Sequence, residues 1–527
     1  MGLLNLRAKG RTLPLPPGQV VTFIEESPVF STQFQGGDYS LSFGISETPE
    51  VNEVFGYAKV PNVITPKQVR IPAQIGLSSG VWKNGDLVLQ KFNGKYRGYF
   101  QSGVSSALSQ ILDKPLNSLE FDDYSFSDAR DHAKTVAQNP FDYDYCFFPV
   151  HSNGYSSNPL WKGVINQFDV TTNEFVQNSS YTSSGEYEFE TVLTPFPRLI
   201  QVYKKIFDQL GLKLDAPVFD GDMVRRICLL SSNSLSQEVF LNPNYRIDAK
   251  SSFNLAEFLP SISVNDFLIE VNNTLGCSLS FNPETGVYQL RRRSVEILNN
   301  SKIYQYNGVL LEASPILEGR KDLYFKFRNG SETFVPFTQE ELIDPDIRVP
   351  NMTFESNQNA FIWNSQPASS YIPSIELSMR SVALDIGSSD GDNEMIWAIY
   401  DGLTGSSISF QFRPYGYPQA HGRKMADLLL RFDHFVGTLE WEGVSNMDNP
   451  SAPKNKNGLY YQRWEEWTEF ERNSQQIEVV ISPTVEDVIN ATSYEKIRIE
   501  NYTILIKSRE IQISDKSARV KITGYLI

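Results

Sequence analysis

From Tyr39 to about Phe100, apolar and polar residues alternate in short runs broken by turn residues, the pattern of half-buried strands. Two dipeptides in this stretch, Asn84-Gly85 and Asn93-Gly94, predict hairpins, because a type I′ turn needs positive φ at both central residues. The second is the clearer, with Leu87–Phe92 and Lys95–Phe100 flanking a two-residue turn. Before them, Pro14, Pro16, Pro17 and Gly18 make the first 30 residues an extended arm that leads into strands.

The pattern changes to helical steps further on. Leu199, Val202, Ile206 and Leu210 form one stripe, with Thr194 as cap, Pro195 at the first helical position and Gly211 at the stop. A second helix is predicted from about Val264 to Leu275, where Val264, Phe267, Leu268, Val271 and Leu275 share a face. Ser263 and Asp266 resemble a capping pair, and Gly276 ends it. A hairpin follows at once: Ser278–Phe281, a turn over Asn282–Gly286, then Val287–Arg292. Short helices are expected near Thr338–Ile343 and Lys424–Phe432. After the polar loop Ser445–Asn457 another runs over Gly458–Glu471, with Tyr460, Trp464 and Trp467 at steps of four and three. The chain closes with a strand at Ile477–Ile481, then a short helix after Ser482-Pro483 with Glu486 and Asp487 in its first turn. Strands at Lys496–Glu500, Tyr502–Lys507 and about Ala518–Leu526 come last.

These elements predict an α+β fold, predominantly β, in several domains. Residues 1–118 read as a β-barrel or sandwich, and 119–190 as a surface insertion rich in aromatics, Asp, Ser and Asn. Residues 191–300 read as an α/β module, 301–415 as a second β domain, and 416–527 as a C-terminal α+β module. The length of 527 residues fits three or four domains by the usual scale of roughly 150 residues each. With 40% hydrophobic and 21% charged residues the chain folds rather than stays disordered, and 13% aromatics favour strands.

The net charge of −15 argues against a protein that grips a duplex, which needs a basic surface to displace counterions. Keeping a large protein soluble is explanation enough for such acidity. Cys146, Cys228 and Cys277 are far apart and odd in number, so reduced, mostly buried thiols are expected rather than a disulfide framework. The N-terminus has no secretory pattern, Leu6 breaks the myristoylation motif, and no apolar run is long enough to span a bilayer.

Catalytic motifs are scarce. His132, His151, His421 and His434 show no HExxH or His–Cys spacing, and no P-loop or dinucleotide fingerprint occurs, so neither metal nor cofactor is expected. Gly76-Leu77-Ser78-Ser79-Gly80 matches a nucleophile elbow, but a hairpin rather than a helix follows, which makes it a turn. Asp390-Gly391-Asp392-Asn393-Glu394 lacks a calcium-loop register and reads as a solvated acidic loop. The pairs Asp122-Asp123, Asp142/Asp144 and Glu465-Glu466 read as solvated carboxylates, and Arg291-Arg292-Arg293 as an ion-paired or exposed strand end. Tyr155, Trp161, Phe168 and Tyr181 suit sugar stacking and protein contact equally, and are the candidate partner or glycan contacts.

Three blocks carry a resemblance. They are Leu193-Thr194-Pro195-Phe196-Pro197-Arg198-Leu199-Ile200 with Ile206–Gly211, then Phe258–Leu268 with Leu275-Gly276 and Val287–Leu290, then Gly458–Trp464 with Lys496–Ile499 and Tyr502–Leu505. Together they resemble tail structural proteins from phages of Bacteroides-like hosts and, more distantly, the baseplate hub of long-tailed phages. The resemblance implies tube-like β-barrel domains with inserted α/β modules, usually as a trimer whose barrels imitate the six-fold tube. It implies tube, distal-tail, tape-measure and fibre or spike proteins as partners, and DNA passing through an acidic channel without specific binding. It implies a place in the virion at the tail tip, after synthesis and assembly in the host cytoplasm, and no catalytic residue. Two other readings stand beside it: a distal-tail or receptor-facing protein that binds host surface glycan, and a glycan hydrolase using a carboxylate pair.

Overall fold

The structure, a computed structural model, describes residues 3–30, 38–60, 69–78, 80–102, 108, 111–139, 141–148, 150–151, 164–166, 168–169, 174–176, 181–182, 192–220, 222–225, 227–229, 231, 233–241, 244–282, 285–294, 298, 302–317, 322–323, 325–327, 349–350, 361–363, 397–404, 409–414, 465–493 and 495–527. The helices expected at Thr338–Ile343 and Lys424–Phe432, the loops at Asp390–Glu394 and Ser445–Asn457, and His421 and His434 lie outside the described residues. The fold is α+β and predominantly β. Its helices of six residues or more, among the described residues, are α1 (Pro49–Val54), α2 (Ala129–Gln138), α3 (Leu199–Asp208), α4 (Val264–Thr274), α5 (Glu465–Asn473) and α6 (Val485–Asn490). The chain forms two compact units. One holds residues 1–110, 277–320 and 467–527; the other holds 111–276 and 321–466.

The first unit is built on one curled sheet. Its strands from the N-terminal part are β1 (Leu4–Ala8), β2 (Arg11–Leu13), β3 (Val21–Glu26), β4 (Asp38–Ser40), β5 (Phe43–Ile45), β6 (Val69–Leu77), β7 (Gly80–Phe92) and β8 (Tyr96–Ser102). A separate hairpin in the same unit joins β9 (Cys277–Asn282) to β10 (Val287–Arg292). The sheet's later strands are β11 (Ile303–Gln305), β12 (Val309–Pro315), β13 (Gln476–Ser482), β14 (Lys496–Ile499), β15 (Tyr502–Ile513) and β16 (Ala518–Leu526). The path runs β2-β1-β6-β7-β8-β4-β3-β15-β16-β13-β12, so β3 and β15 join strands from opposite ends of the chain. Off this path, β14 pairs with β15, β11 pairs in parallel with β14, and β5 pairs with β8.

Alternation places one face of each strand in a common core. Val21 and Phe23 of β3, Ile511 and Ile513 of β15, and Val520 and Ile522 of β16 are all buried there. Each such side chain contributes roughly 1.5–3 kcal/mol of burial. Helix α6 packs Val488 into the same core. The Thr484 hydroxyl accepts from the Asp487 amide and the Asp487 carboxylate accepts from the Thr484 amide, a reciprocal cap. The same carboxylate accepts from the Asn307 amide at 2.9 Å, and so pins the link between β11 and β12.

The two Asn-Gly pairs end differently. Asn93-Gly94 does turn the chain, but Phe92 pairs with Tyr96 and Gly94 alone takes positive φ (+66°), so three residues form the loop. Asn84-Gly85 does not turn. It lies inside β7, where Gly85 pairs with Ala73 on one side and Ser102 on the other. A Cβ at Gly85 would stand 2.1 Å from the Gln101 carbonyl oxygen, so glycine serves close strand approach rather than a bend. The actual turn between β6 and β7 is at Ser78, whose φ is +54° while Leu77 pairs with Gly80. The elbow-like Gly76–Gly80 motif is therefore a hairpin turn, with a strand after it.

In the second unit, α3 and α4 carry the apolar faces read from their spacing. Leu199, Val202, Tyr203, Ile206 and Phe207 are buried on α3, and Val264, Phe267, Leu268 and Val271 on α4. The Tyr203 hydroxyl donates to Asn272 Oδ1 at 2.9 Å. The Ser263 hydroxyl caps α4 by accepting from the Asp266 amide, and Gly211 and Gly276 take positive φ beyond the two helices. The start of α3 differs from the expectation. Phe196–Pro197 is a strand paired with Tyr145–Cys146, and the helix begins at Leu199. Thr194 cannot cap it, because Asn166 holds its backbone: the Thr194 amide donates to Asn166 Oδ1, and Asn166 Nδ2 donates to the Thr194 carbonyl.

Candidate functional site

Strand β12 ends the sheet, and among the described residues its neighbour there is β13. Such an edge leaves a row of backbone donors and acceptors available to another chain. Its side chains add an apolar surface: Val309 is 64% exposed, Leu311 56% and, just beyond the strand, Leu317 88%. Leu311 is the extra residue of a bulge between Leu310 and Glu312, which turns it outward while Leu310 and Ala313 pack on the core. Ile303 of β11 is 52% exposed on the parallel strand added to β14. The sheet is a curled half-barrel, and among the described residues its two ends present strand edges.

Inside the curl lies a charged cluster. Arg509 of β15 donates from Nε and Nη2 to Glu25 Oε2 at 2.7 and 2.6 Å. Lys83 of β7 reaches Glu25 Oε1 at 2.7 Å and also bonds Asp38 of β4. Burial by itself pushes the Glu25 carboxyl up, but Arg509 and Lys83 outweigh it and hold the group below its ordinary range. Asp38 is raised, chiefly by burial. The charges balance, two cations against two carboxylates, which is how ions persist in a core.

Tyr155 and Trp161 lie outside the described residues. Phe168 sits on a two-residue strand opposite Phe175, and Tyr181 on one opposite Arg246. Of the carboxylate pairs, Asp122 meets Lys205 at 3.0 Å and Asp144 accepts from the Tyr124 hydroxyl at 2.7 Å. His132 Nε2 stands 2.6 Å from the Tyr145 hydroxyl, and burial pushes its imidazole pKa down. Arg293 is 3% exposed, and burial lowers it to about 10 despite the nearby charge of Glu471. No group of three or more His, Cys, Asp or Glu suited to a metal is found among the described residues. No described helix is long and apolar enough to cross a membrane.

One relationship had no local signal. Cys146 and Cys228 are both fully buried, with Sγ atoms 2.8 Å apart and Arg198 Nη1 4.0 Å from Cys228 Sγ. Pairing of Phe196 with Cys146 and the bridge of Arg198 to Cys228 bring them together across 82 residues.

No family model matches the chain, and no curated protein matches it in sequence. Among solved structures, the chain is similar over 99% of its length to the 43 kDa tail protein of prophage MuSo2 from Shewanella oneidensis, with 8% identity, 97% of that chain covered and a TM-score of 0.35. It is similar likewise to a tail protein from Neisseria meningitidis MC58, at 6% identity, 96% of that chain and a TM-score of 0.32. A Francisella PdpA-VgrG complex gives 9% identity, 57% of that chain and a TM-score of 0.32. These are loose likenesses of fold.

Proposed function

We propose that the chain is a structural part of a bacteriophage tail, a hub at the tail tip that assembles with copies of itself and with adjoining tail proteins. The observation that carries the reading is the edge of β12, which no further strand covers among the described residues, with Val309, Leu311 and Leu317 exposed there. A half-barrel with an apolar open edge is suited to complete itself with a strand from a neighbouring copy. The three sequence blocks that resemble phage tail proteins agree with this, and the third supplies two strands of the curled sheet, β14 and β15. The hub is trimeric, encloses an axial channel, and carries fibre or spike proteins on its far side. The net charge of −15 then lets DNA slide through without displacing counterions.

The test is the state of the purified protein. Light scattering and negative-stain images should give a closed ring or trimer with an axial channel and contacts of more than roughly 1,000 Å². A monomer at all concentrations, or absence from purified phage particles, would remove the reading.

A further inference from the structure

We propose that the second unit holds a binding site for a small ligand carrying a phosphate or carboxylate group, in the pocket along the first turn of α3. This inference is independent of the assembly role, since the pocket lies wholly within one unit. The pocket has a volume of about 350 Å³ and is lined by Phe141, Arg198, Gln201, Lys204, Asp220 and Arg225, among others. Three cations and one carboxylate give its wall a net charge of +2, in a chain whose total is −15.

Arg198 is the centre of the argument. It is 3% exposed, and it is the residue before α3. Its Nε donates to the Tyr143 carbonyl at 3.0 Å and its Nη1 to the Arg225 carbonyl at 3.3 Å. Its Nη2 is buried with no hydrogen-bond partner among the described residues. A buried guanidinium is ordinarily paired, because desolvating an uncompensated charge is costly. The two carbonyls, with the Cys228 thiol 4.0 Å from Nη1, hold the side chain without supplying a carboxylate to answer its charge. An oxyanion in the adjoining pocket answers it.

The surroundings suit such a group. The amides of Leu199 and Ile200 open α3 and have no acceptor within the helix, and the helix dipole favours negative charge there. Lys204 and Arg225 are exposed on the rim. The Phe141 ring, 42% exposed, lies under both guanidiniums, with Arg198 Cζ at 5.8 Å and Arg225 Cζ at 5.0 Å from its centre. It offers an apolar wall for the body of the ligand. Asp220, the one carboxylate of the lining, disfavours a ligand with more than one negative group.

The experiment is calorimetric titration of the full chain with phenyl phosphate and, separately, with benzoate. Saturable binding with a Kd of about 1 mM or tighter is expected for at least one, and the tighter of the two names the preferred group. Lys204→Glu and Arg225→Glu alter exposed rim residues, so their melting temperatures should stay near the parent's while affinity falls about tenfold each. Arg198→Lys keeps a charge and loses the fork, and should weaken binding by more than either, in protein shown by its melting curve to be folded. No saturable heat from the parent at about 10 mM of either probe, or equal affinity in the parent and both rim variants, overturns the proposal.

Discussion

Glu25 and Arg509 stand directly opposite each other on β3 and β15, 484 residues apart in sequence, and are 2% and 1% exposed. The pair fastens β3 to the closing β15–β16 hairpin. Because both ions are desolvated, the cost of removing one is dominated by the charge left behind. Arg509→Ala should therefore lower unfolding free energy by about 3–5 kcal/mol in urea titrations. A loss under about 1 kcal/mol would mean that water reaches Glu25 in the folded protein.

The same pair sets part of the acid limb of stability. Glu25 is held below its ordinary value of 4.5, so its contribution is present above that pH and is lost as pH falls through the lower folded value. Asp38, raised from 3.8 mainly by burial, works in the opposite direction over the same range. Glu25→Gln should thus show a flatter fall in melting temperature than the parent as pH drops below 4.5. Parallel curves would count against the assignment.

Glu471 gives the opposite sign. Burial pushes its carboxyl from 4.5 up to about 7, with Arg293 and Lys507 only partly countering. A group with a raised folded value favours folding while protonated, and that advantage disappears as pH rises from 4.5 through 7. Glu471→Gln, which keeps the shape and never ionises, should lose less stability than the parent between those limits. The gap is on the order of 2–3 kcal/mol by denaturant titration at the two ends. Identical pH slopes for the two proteins would show that the carboxylate is solvated.

Gly85 tests the reading of β7. With a Cβ 2.1 Å from the Gln101 carbonyl, Gly85→Ala cannot fit without moving β8. A cost of about 2–4 kcal/mol is expected, well above the roughly 1 kcal/mol that alanine gains over glycine from chain entropy. If Gly85→Ala were neutral or stabilising, the strand would not run straight through this position.

These residues also show what the sequence made legible. The stretch from Ser263 to Arg292 was readable because every signal in it is local: a capping hydroxyl, an apolar stripe, and Gly276 and Gly286 at positive φ. The closing strands were readable from alternation, although β15 runs on to Ile513, where Arg509 replaces an apolar residue on the inner face. Asn84-Gly85 misled because a glycine needed for strand approach looks the same as one needed for a turn. Thr194-Pro195 misled because Asn166, 28 residues away, occupies the backbone that a helix start would use. The Cys146–Cys228 contact and the unpaired charge of Arg198 depend on pairings across the second unit, and no periodicity reports them.

The assembly edge can be tested without disturbing the fold. Val309 and Leu311 point into solvent at 64% and 56% exposure, so lysine at both sites should change the melting temperature of the isolated chain little. Lysine is also the residue with which natural sheets guard an open edge, because adding a strand would bury its charge. Val309→Lys with Leu311→Lys should therefore shift the protein from oligomer to monomer in sedimentation runs, with dissociation weakened in high salt only if rim charges also contribute. A control at Val81, 51% exposed on β7 beside the hairpin turn and remote from this edge in strand order, should leave the oligomer intact when changed to lysine. An oligomer that survives the double change, or one lost equally with Val81→Lys, would place the contact elsewhere and remove the support that β12 lends to a tail hub.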